Sequence, residues 1–130
     1  MKRIRLWAPA IVWMTVIFLL SSRQSVSVSP DYWHNFLFFK TLHVLEYAIL
    51  YVLYFRAARS YGIAFVLTVF YAITDEMHQT LVPTREGRVR DVIIDAVGAA
   101  VAWISIKQLL PKAPKKLKKR GRSWLMIGQK

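Results

Sequence analysis

A histidine and a carboxylate lie one helical turn apart at two places in this 130-residue chain. His43 and Glu46 form the first pair, and Asp75 and His78 form the second. A buried carboxylate beside a histidine can act as a general acid or base, so these four residues are the candidate catalytic residues. Pairs with the same i, i+3 spacing also bind metal ions inside helical bundles.

Three cations near these pairs favour an anionic ligand over a metal ion. Lys40 precedes His43 by one turn, and Arg85 and Arg88 follow His78 closely. Their charge would oppose a bound cation, whereas an arginine can hold a phosphate or carboxylate through two hydrogen bonds. We therefore expect an oxyanion site without a metal or a cofactor. The predicted ligand-binding residues are Lys40, His43, Glu46, Tyr47, Glu76, Gln79, Arg85, Arg88, Asp91 and Asp95.

Other chemical motifs are missing from the sequence. It has no glycine-rich phosphate loop, no GxSxG elbow and no HExxH zinc motif. The Ser21-Ser22 pair offers a nucleophile, but nothing in the sequence places an activating base beside it. The absence of cysteine excludes disulfides and thiolate chemistry.

Four apolar stretches must position these side chains. They run over about 6–20, 36–55, 62–74 and 92–110. A helix needs roughly 17–25 residues to cross the bilayer core. The fourth stretch is long enough alone, the first needs a few flanking residues, and the third must borrow Tyr61 and the polar turn up to Met77. The pattern predicts an all-α transmembrane bundle of four helices, in which the first stretch is a retained anchor.

The second and fourth stretches each carry a distinctive face. On the second, Lys40, His43 and the tyrosines at 47, 51 and 54 fall within about 80° of one another. On the fourth, Asp91 and Asp95 continue into the small residues at 98, 102 and 105. Because small residues let helices approach closely in lipid, this face is expected to point into the bundle. The tyrosines are expected mainly to pack.

The charges are sorted by sign along the chain. All seven acidic residues lie between positions 31 and 95. With four spans, fourteen basic residues fall on the side of the two termini and five on the other side. Basic flanking segments stay in the cytoplasm. Both termini are therefore predicted to be cytoplasmic, and the carboxylates are predicted to gather with the cations at the outer face.

The net charge and the hydrophobic content together indicate which class of partner the chain binds. The net charge is +12, while 55% of the residues are hydrophobic and the mean hydropathy is +0.32. In a polar chain this charge would indicate nucleic acid, but beside long apolar runs it indicates anionic lipid. No nucleic-acid partner is expected. Residues 1–110 are interpreted as the membrane domain, and 111–130 as a basic cytoplasmic tail, either disordered or lying on the membrane surface.

Five short motifs follow one another in a fixed order between about residues 6 and 110. They are Ser21-Ser22-Arg23-Gln24, Lys40-x-x-His43-x-x-Glu46-Tyr47, Asp75-Glu76-x-His78-Gln79, Arg85-x-x-Arg88-x-x-Asp91 and Asp95-x-x-Gly98. Together they resemble the VanZ-like family of small bacterial membrane proteins. Family members often carry a proline and a glycine before the arginine, where this chain has Pro83-Thr84-Arg85, and an asparagine near Asp95, where it has Ala96.

The resemblance implies a multi-pass protein of the bacterial cytoplasmic membrane. The family name comes from a member linked to low-level resistance to the glycopeptide antibiotic teicoplanin, and no mechanism or catalytic residue comes with it. Three interpretations stay open. The cluster engages an anionic envelope component, such as a lipid-linked cell-wall intermediate, or the glycopeptide itself; it catalyses hydrolysis or transfer on a polyprenyl-phosphate-type lipid; or its charges only pair and hold the helices together.

Overall fold

The computed structural model describes residues 2–23 and 30–125, and these residues are helical with short connections. The helices are α1 (Lys2–Ser21), α2 (Tyr32–Ala58), α3 (Tyr61–Gln79), α4 (Val89–Ile104) and α5 (Lys115–Trp124). A π-helical turn at Ser105–Leu109 and a 3₁₀ turn at Leu110–Lys112 prolong α4. The all-α prediction is confirmed. Gln24 of the first motif and the last tail residues, 126–130, lie outside the described residues.

Three helices in the described ranges are long and apolar enough to cross a membrane, namely Ile4–Ser21, Tyr32–Ala58 and Val89–Lys112. Helix α3 has 19 residues, but its last turns carry Asp75, Glu76 and His78, which lower its hydropathy. It still packs along both α2 and α4. The four predicted helices thus form one bundle, while the crossing of α3 and the side of the termini stay predictions.

Successive helices run in opposite directions, which gives the bundle two unlike ends. A hydrogen bond from Ser21 to Asp75 joins the last turn of α1 to the last turns of α3. At the opposite end, the rings of Trp7 on α1 and Tyr54 on α2 lie 6.1 Å apart. We call the first end, formed by 20–23, 39–47 and 75–95, the polar end. We call the second, formed by 4–7, 54–61 and 103–125, the basic end.

Helices α2 and α4 approach most closely at a glycine. A Cβ atom added to Gly98 would lie 2.3 Å from the carbonyl oxygen of Val44. Ala99, Ala102 and Asp95 on the same helix are buried. The predicted small-residue face of α4 therefore does point into the bundle, and it brings the aspartate at 95 against α2.

The turn between α2 and α3 is only two residues long. Arg59 adopts a left-handed conformation with φ of 56°, and its N–H donates to the carbonyl of Phe55 at 2.8 Å. Ser60 then caps α3 by accepting from the N–H of Ile63. Such a short connection makes α2 and α3 antiparallel neighbours, so the start of α2 and the end of α3 meet at the polar end.

The described part of the tail is a helix that folds back on the basic end. A Cβ atom at Gly121, in the second half of α5, would lie 2.7 Å from Leu110 Cδ1, so α5 lies in close contact with the turn that prolongs α4. At the end of α5, Arg56 Nε donates to the carbonyl of Trp124 at 3.1 Å, and the Arg56 guanidinium lies 4.9 Å from the indole centroid. Up to Leu125, which is buried, the tail is docked rather than disordered.

Candidate functional site

The polar end collects the side chains that the sequence singled out. They come from the start of α2, the end of α3, the start of α4 and the α3–α4 loop. Asp75, Glu76, Gln79, Asp91 and Asp95 are all buried there, at 9% exposure or less. Buried ionisable groups in a membrane bundle need partners, and the contacts of each group determine what the site can do.

Two pairs of side chains bridge α2 and α4. Lys40 Nζ lies 2.7 Å from Asp91 Oδ1, and His43 Nδ1 lies 3.1 Å from Asp95 Oδ1. Arg90 Nε approaches the same Asp91 oxygen at 3.6 Å. Asp91 therefore orients Lys40, and Asp95 holds His43.

Asp75 is the centre of a second network, which connects α1 to α3. Its Oδ2 accepts hydrogen bonds from Ser21 Oγ at 2.7 Å and from Gln79 Nε2 at 2.9 Å. The amide oxygen of Gln79 in turn accepts from Arg85 Nη1 at 3.1 Å. Arg85 also donates from Nε to the carbonyl of Arg23 at 2.8 Å and approaches that of Leu20 with Nη2 at 3.4 Å.

Arg85 differs from the other two predicted anion-binding cations in what it contacts. Lys40 is paired with Asp91, and Arg88 is paired with Glu86. Within residues 2–23 and 30–125, the half-buried guanidinium of Arg85 forms no ion pair with a carboxylate, and its three bonds go to neutral oxygens. Its positive charge is therefore not neutralised by direct contact with an acid.

Arg88 takes a different position from the one expected. Its side chain is about half exposed and turns toward Glu86, two residues earlier. Its backbone N–H, rather than its guanidinium, enters the cluster and donates to Glu76 Oε2 at 2.9 Å. Gly87 permits this approach, because a Cβ atom there would lie 2.5 Å from the Glu76 carbonyl oxygen. Arg88 thus lies at the rim of the site.

The loop pair of Glu86 and Arg88 lies outside the helices and is open to solvent. The hydrogen bond and charge of the Arg88 guanidinium lower the pKa of the Glu86 carboxyl below its usual value. Glu86 is therefore ionised under ordinary conditions, and it neutralises Arg88 at the rim.

In the described residues, the two histidine–carboxylate pairs suggested as catalytic, His43–Glu46 and Asp75–His78, are not hydrogen-bonded within each pair. His43 contacts Asp95 rather than Glu46, and His78 Nε2 lies 3.4 Å from Ser22 Oγ while its ring lies against Phe18. In the described part of the chain, no three histidine or acidic side chains are arranged to hold a metal ion.

Sequence reasoning missed the partners of the two serines. Ser21 donates to Asp75, and Ser22 lies beside His78, across 54 and 56 residues of sequence. Asp75 and His78 lie three positions apart on α3. Their contacts with the serines depend on how α3 is rotated against α1. No local spacing in the sequence signals them.

The cleft at the polar end consists of neighbouring cavities that share lining residues. One cavity of about 200 Å³ lies among Lys40, His43 and Asp91. On one side of it lies the rim at Arg88, and on the other lies a cavity of about 230 Å³ that is lined by Ser21 and Glu46. Two residues line all of these cavities, Phe39 and Arg85.

The inner cavity of this cleft lies between α1 and α2. Leu20 and Leu42 form its apolar margin, and both are exposed on the outer surface of the bundle, at 41% and 38%. In a bilayer, that surface faces acyl chains. The cleft therefore combines polar side chains with an apolar margin at the surface of the bundle.

Comparisons with known proteins agree with this architecture. A sequence model of the VanZ/LLP1 family matches residues 6–110, which include all four helices of the bundle and every residue of the polar end. The comparisons with curated proteins and with solved structures gave no match. The family match covers most of the 130 residues. On this match, and with membrane-type helices and the expected motifs at one end of the bundle, the chain belongs to the VanZ/LLP1 family.

Proposed function

We propose that this protein engages an anionic, lipid-linked component of the bacterial cell envelope through the cleft at its polar end. In this proposal all four bundle helices cross the cytoplasmic membrane, the two termini are cytoplasmic, and the polar end faces outward. The fourteen basic residues on the side of the termini support this orientation. The outward cleft is then positioned to meet cell-wall precursors in the outer leaflet.

The single observation that carries the proposal is the state of Arg85. It is half-buried, lines every part of the cleft and has no acidic partner in the described residues. A guanidinium retains free N–H donors after three bonds to neutral oxygens, and its planar fork suits a phosphate or carboxylate. Lys40 lies in the same cavity and, although paired with Asp91, has further N–H donors for an oxyanion.

The lipid part of the proposal rests on the opening between α1 and α2. A phosphate held at Arg85 would lie beside Phe39, and a chain attached to it could leave past Leu20 and Leu42 into the acyl region. A soluble anion would use only the rim. An amphiphile such as a polyprenyl phosphate or a lipid-linked wall intermediate fits both features.

The link to glycopeptide antibiotics follows from such a ligand. A membrane protein that holds a lipid-linked cell-wall intermediate would change the amount of that intermediate at the outer face, and a change there could alter the action of a teicoplanin-type drug. Direct binding of the glycopeptide is the alternative partner. A bacterial strain that produces the chain is expected to show altered teicoplanin susceptibility, and this effect should be lost with Arg85→Gln.

Binding is tested with the purified chain in mild detergent and three probes: a polyprenyl monophosphate, the uncharged polyprenol and inorganic phosphate. We expect the phosphorylated lipid to bind best. Arg85→Gln should weaken its binding about tenfold or more, since a hydrogen bond to a charged group contributes about 1.5–3 kcal/mol. Arg5→Gln is the matched control, because Arg5 is exposed at the basic end.

The same measurement ranks the other cations. Arg88→Gln should have a smaller effect than Arg85→Gln, because Arg88 is exposed and neutralised by Glu86. Thermal unfolding of each variant separates lost binding from lost structure. Equal binding of the phosphate lipid to wild type and to a folded Arg85→Gln variant would reject the proposal.

Purely structural pairing is tested with a charge swap between α2 and α4. Lys40→Asp combined with Asp91→Lys can re-form the ion pair in the reverse sense. If the charges only hold the helices together, the double variant should keep wild-type lipid binding and wild-type susceptibility. We expect it to fold but to bind the phosphate lipid less well, because the cation has moved from α2 to α4.

A membrane-embedded hydrolase or transferase acting on the same class of lipid is the second candidate. It is favoured by the contacts of Ser21 with Asp75 and of Ser22 with His78, which place hydroxyl groups beside possible bases near the cleft. His43 and Glu46 line the inner cavity as further acid–base groups. Turnover of a polyprenyl-phosphate substrate, lost in Glu46→Gln, would establish this activity, and a chelator tests for metal dependence.

The orientation is tested by labelling. The chain contains no cysteine, so single cysteines can be introduced at Leu81, which is 84% exposed near the polar end, and at Leu117 on α5, which is 59% exposed. A membrane-impermeant maleimide should label the first in whole cells and the second only after lysis. The reverse pattern would place the polar end inside the cell.

A further inference from the structure

Gln79, the last residue of α3, connects a carboxylate to the half-buried arginine of the cleft. The residue is 4% exposed. Its Nε2 donates to Asp75 Oδ2 at 2.9 Å, and its Oε1 accepts from Arg85 Nη1 at 3.1 Å. One buried, neutral amide therefore stands between an acid and a cation and is hydrogen-bonded to both.

The chemistry of these two partners fixes the direction of the Gln79 amide. A guanidinium can only donate hydrogen bonds, so Arg85 must face the amide oxygen. The amide NH2 then faces the oxygen of Asp75, which also accepts from Ser21 Oγ at 2.7 Å. Turning the amide over would place donors against the guanidinium and an acceptor against the carboxylate. The amide is therefore locked in one orientation.

The Arg85 guanidinium is held at each of its three nitrogen atoms. Nε donates to the carbonyl of Arg23 at 2.8 Å, and Nη2 approaches the carbonyl of Leu20 at 3.4 Å. Both of these acceptors are backbone groups at the end of α1. Gln79 supplies the third acceptor, and it is the contact that ties the guanidinium to α3.

These three contacts leave two N–H donors for a ligand. A guanidinium has five N–H groups, one on Nε and two on each terminal nitrogen. After the contacts within the described residues, one N–H remains on Nη1 and one on Nη2. Two donors on the terminal nitrogens match an oxyanion that binds through two oxygens. Arg85 and Gln79 both line the central cavity of the cleft.

A charged acceptor would hold an arginine as well, but it would also neutralise it. Arg88 shows this alternative at the rim, where its guanidinium pairs with the carboxylate of Glu86. Hydrogen bonds between ionised groups are stronger than those to a neutral amide, so a carboxylate would compete with an incoming anion. The amide of Gln79 fixes the guanidinium without supplying that competing charge.

We infer that Gln79 is a positioning and specificity-determining residue of the cleft. It holds Arg85 through a neutral acceptor and so keeps the positive charge for one bidentate oxyanion, such as a phosphate group. The inference rests on the proposed function and deepens it. Gln79 acts through Arg85 in this assignment, rather than as the direct ligand contact expected from the sequence.

Nitrogen-15 NMR of the full chain in micelles, without added lipid, tests the positioning. The side-chain signals of Arg85 are assigned by their loss in Arg85→Gln. Rotation about the Cζ–Nε bond should be slow in the wild type. Gln79→Met keeps the length of the side chain but removes the acceptor, and it should speed this rotation about tenfold or more. Gln79→Glu keeps an acceptor oxygen, so the rotation should stay slow.

Binding of a polyprenyl monophosphate at pH 9 tests the need for a neutral acceptor. Gln79→Glu should bind this lipid about tenfold or more weakly than the wild type, because the new carboxylate pairs with Arg85. Gln79→Met should also bind it more weakly, because the guanidinium is no longer fixed. Binding of the uncharged polyprenol should be the same in all variants.

A second glutamine provides the matched controls. Gln108 is exposed at the basic end, so Gln108→Met and Gln108→Glu should change neither the rotation of Arg85 nor the binding of the phosphate lipid. Thermal unfolding shows which variants are folded. If Gln79→Met does not fold, Gln79→Glu alone decides the inference, since it preserves the size of the side chain.

The inference is overturned if folded Gln79→Met keeps slow rotation, or if Gln79→Glu binds the phosphate lipid as the wild type does. If Arg85→Gln loses lipid binding while both Gln79 variants retain it, the inference fails and the proposed function stands. If the wild type binds no phosphate lipid, the proposed function fails together with the oxyanion part of the inference. The rotation measurement still decides whether Gln79 positions Arg85.

Discussion

The two ends of the bundle are held together in different ways. At the basic end, aromatic rings stack closely: Phe55 and Tyr61 lie 4.5 Å apart, and Trp103 lies against Tyr51, Tyr61 and Phe65. At the polar end, ionic and polar side chains connect the same helices, and several of their buried atoms have no partner in the described residues.

This difference indicates which end is shaped by packing and which by binding. Stacked rings stabilise without leaving polar groups unsatisfied, whereas unpartnered buried oxygens reduce stability and persist where they serve a function. We therefore expect substitutions at the basic end to act mainly on folding. Substitutions at the polar end should act mainly on ligand binding.

The largest expected effect comes from the basic end. Trp103→Ala removes the ring that contacts three others, and it should reduce the free energy of unfolding by about 3–5 kcal/mol. Unfolding in detergent with added denaturant measures the change. The folded fraction should still bind polyprenyl phosphate normally, because Trp103 lies far along α4 from the cleft. A selective loss of lipid binding would contradict the comparison.

A somewhat smaller loss is expected at the contact between the two ends. Gly98→Ala places a methyl group against the Val44 carbonyl oxygen and pushes α2 away from α4, which should reduce stability by about 1–3 kcal/mol. It should also weaken lipid binding, because the His43–Asp95 and Lys40–Asp91 pairs bridge the same helices. Gly62→Ala is the control, since nothing lies within 4 Å of its added Cβ.

A gain of stability is expected in the loop of the polar end. Thr84 has φ of 67°, a left-handed conformation that a β-branched residue rarely adopts. Thr84→Gly should therefore raise the free energy of unfolding by about 0.5–1 kcal/mol. This net value is the cost of the left-handed conformation for threonine minus the cost of the greater conformational entropy that glycine gives the unfolded chain. Unchanged or lower thermal stability would show that the loop needs the threonine side chain.

The smallest effect concerns pH at the rim. The pKa of Glu86 is lower in the folded chain than in the unfolded one because of Arg88, so its contribution is present above the unfolded pKa and is lost as pH falls through the folded value. Both groups are exposed, so the change in stability should be slight. Glu86→Gln should remove this part of the acid dependence. A large acid effect on stability would have to come from the buried carboxylates.

Much of the fold followed from residue spacing. The small-residue face of α4 points inward as predicted, because small residues allow close packing. The polar and tyrosine face of α2 points inward as well, because charge is unfavourable in lipid. Helix α3 was harder to predict, since its last turns are polar enough to look like a loop. The docking of α5 was missed because a lysine-rich sequence gives no sign of the contact between Gly121 and Leu110.

The gathering of the candidate residues at one end of the bundle was predictable, because helix direction alone decides that. Their pairing was not predictable. Arg88 pairs with Glu86 rather than with the cluster because the local loop conformation turns it outward. The contacts of Ser21 and Ser22 depend on how α1 rotates against α3, and nothing in either segment specifies that rotation.

The shared walls of the cleft have a consequence for how this protein can vary. Phe39 and Arg85 border the rim, the central cavity and the inner cavity together. A substitution at either position changes all three cavities at once. It therefore cannot change the binding properties of one cavity alone. In a saturation screen, these two positions should be intolerant whichever property the screen selects.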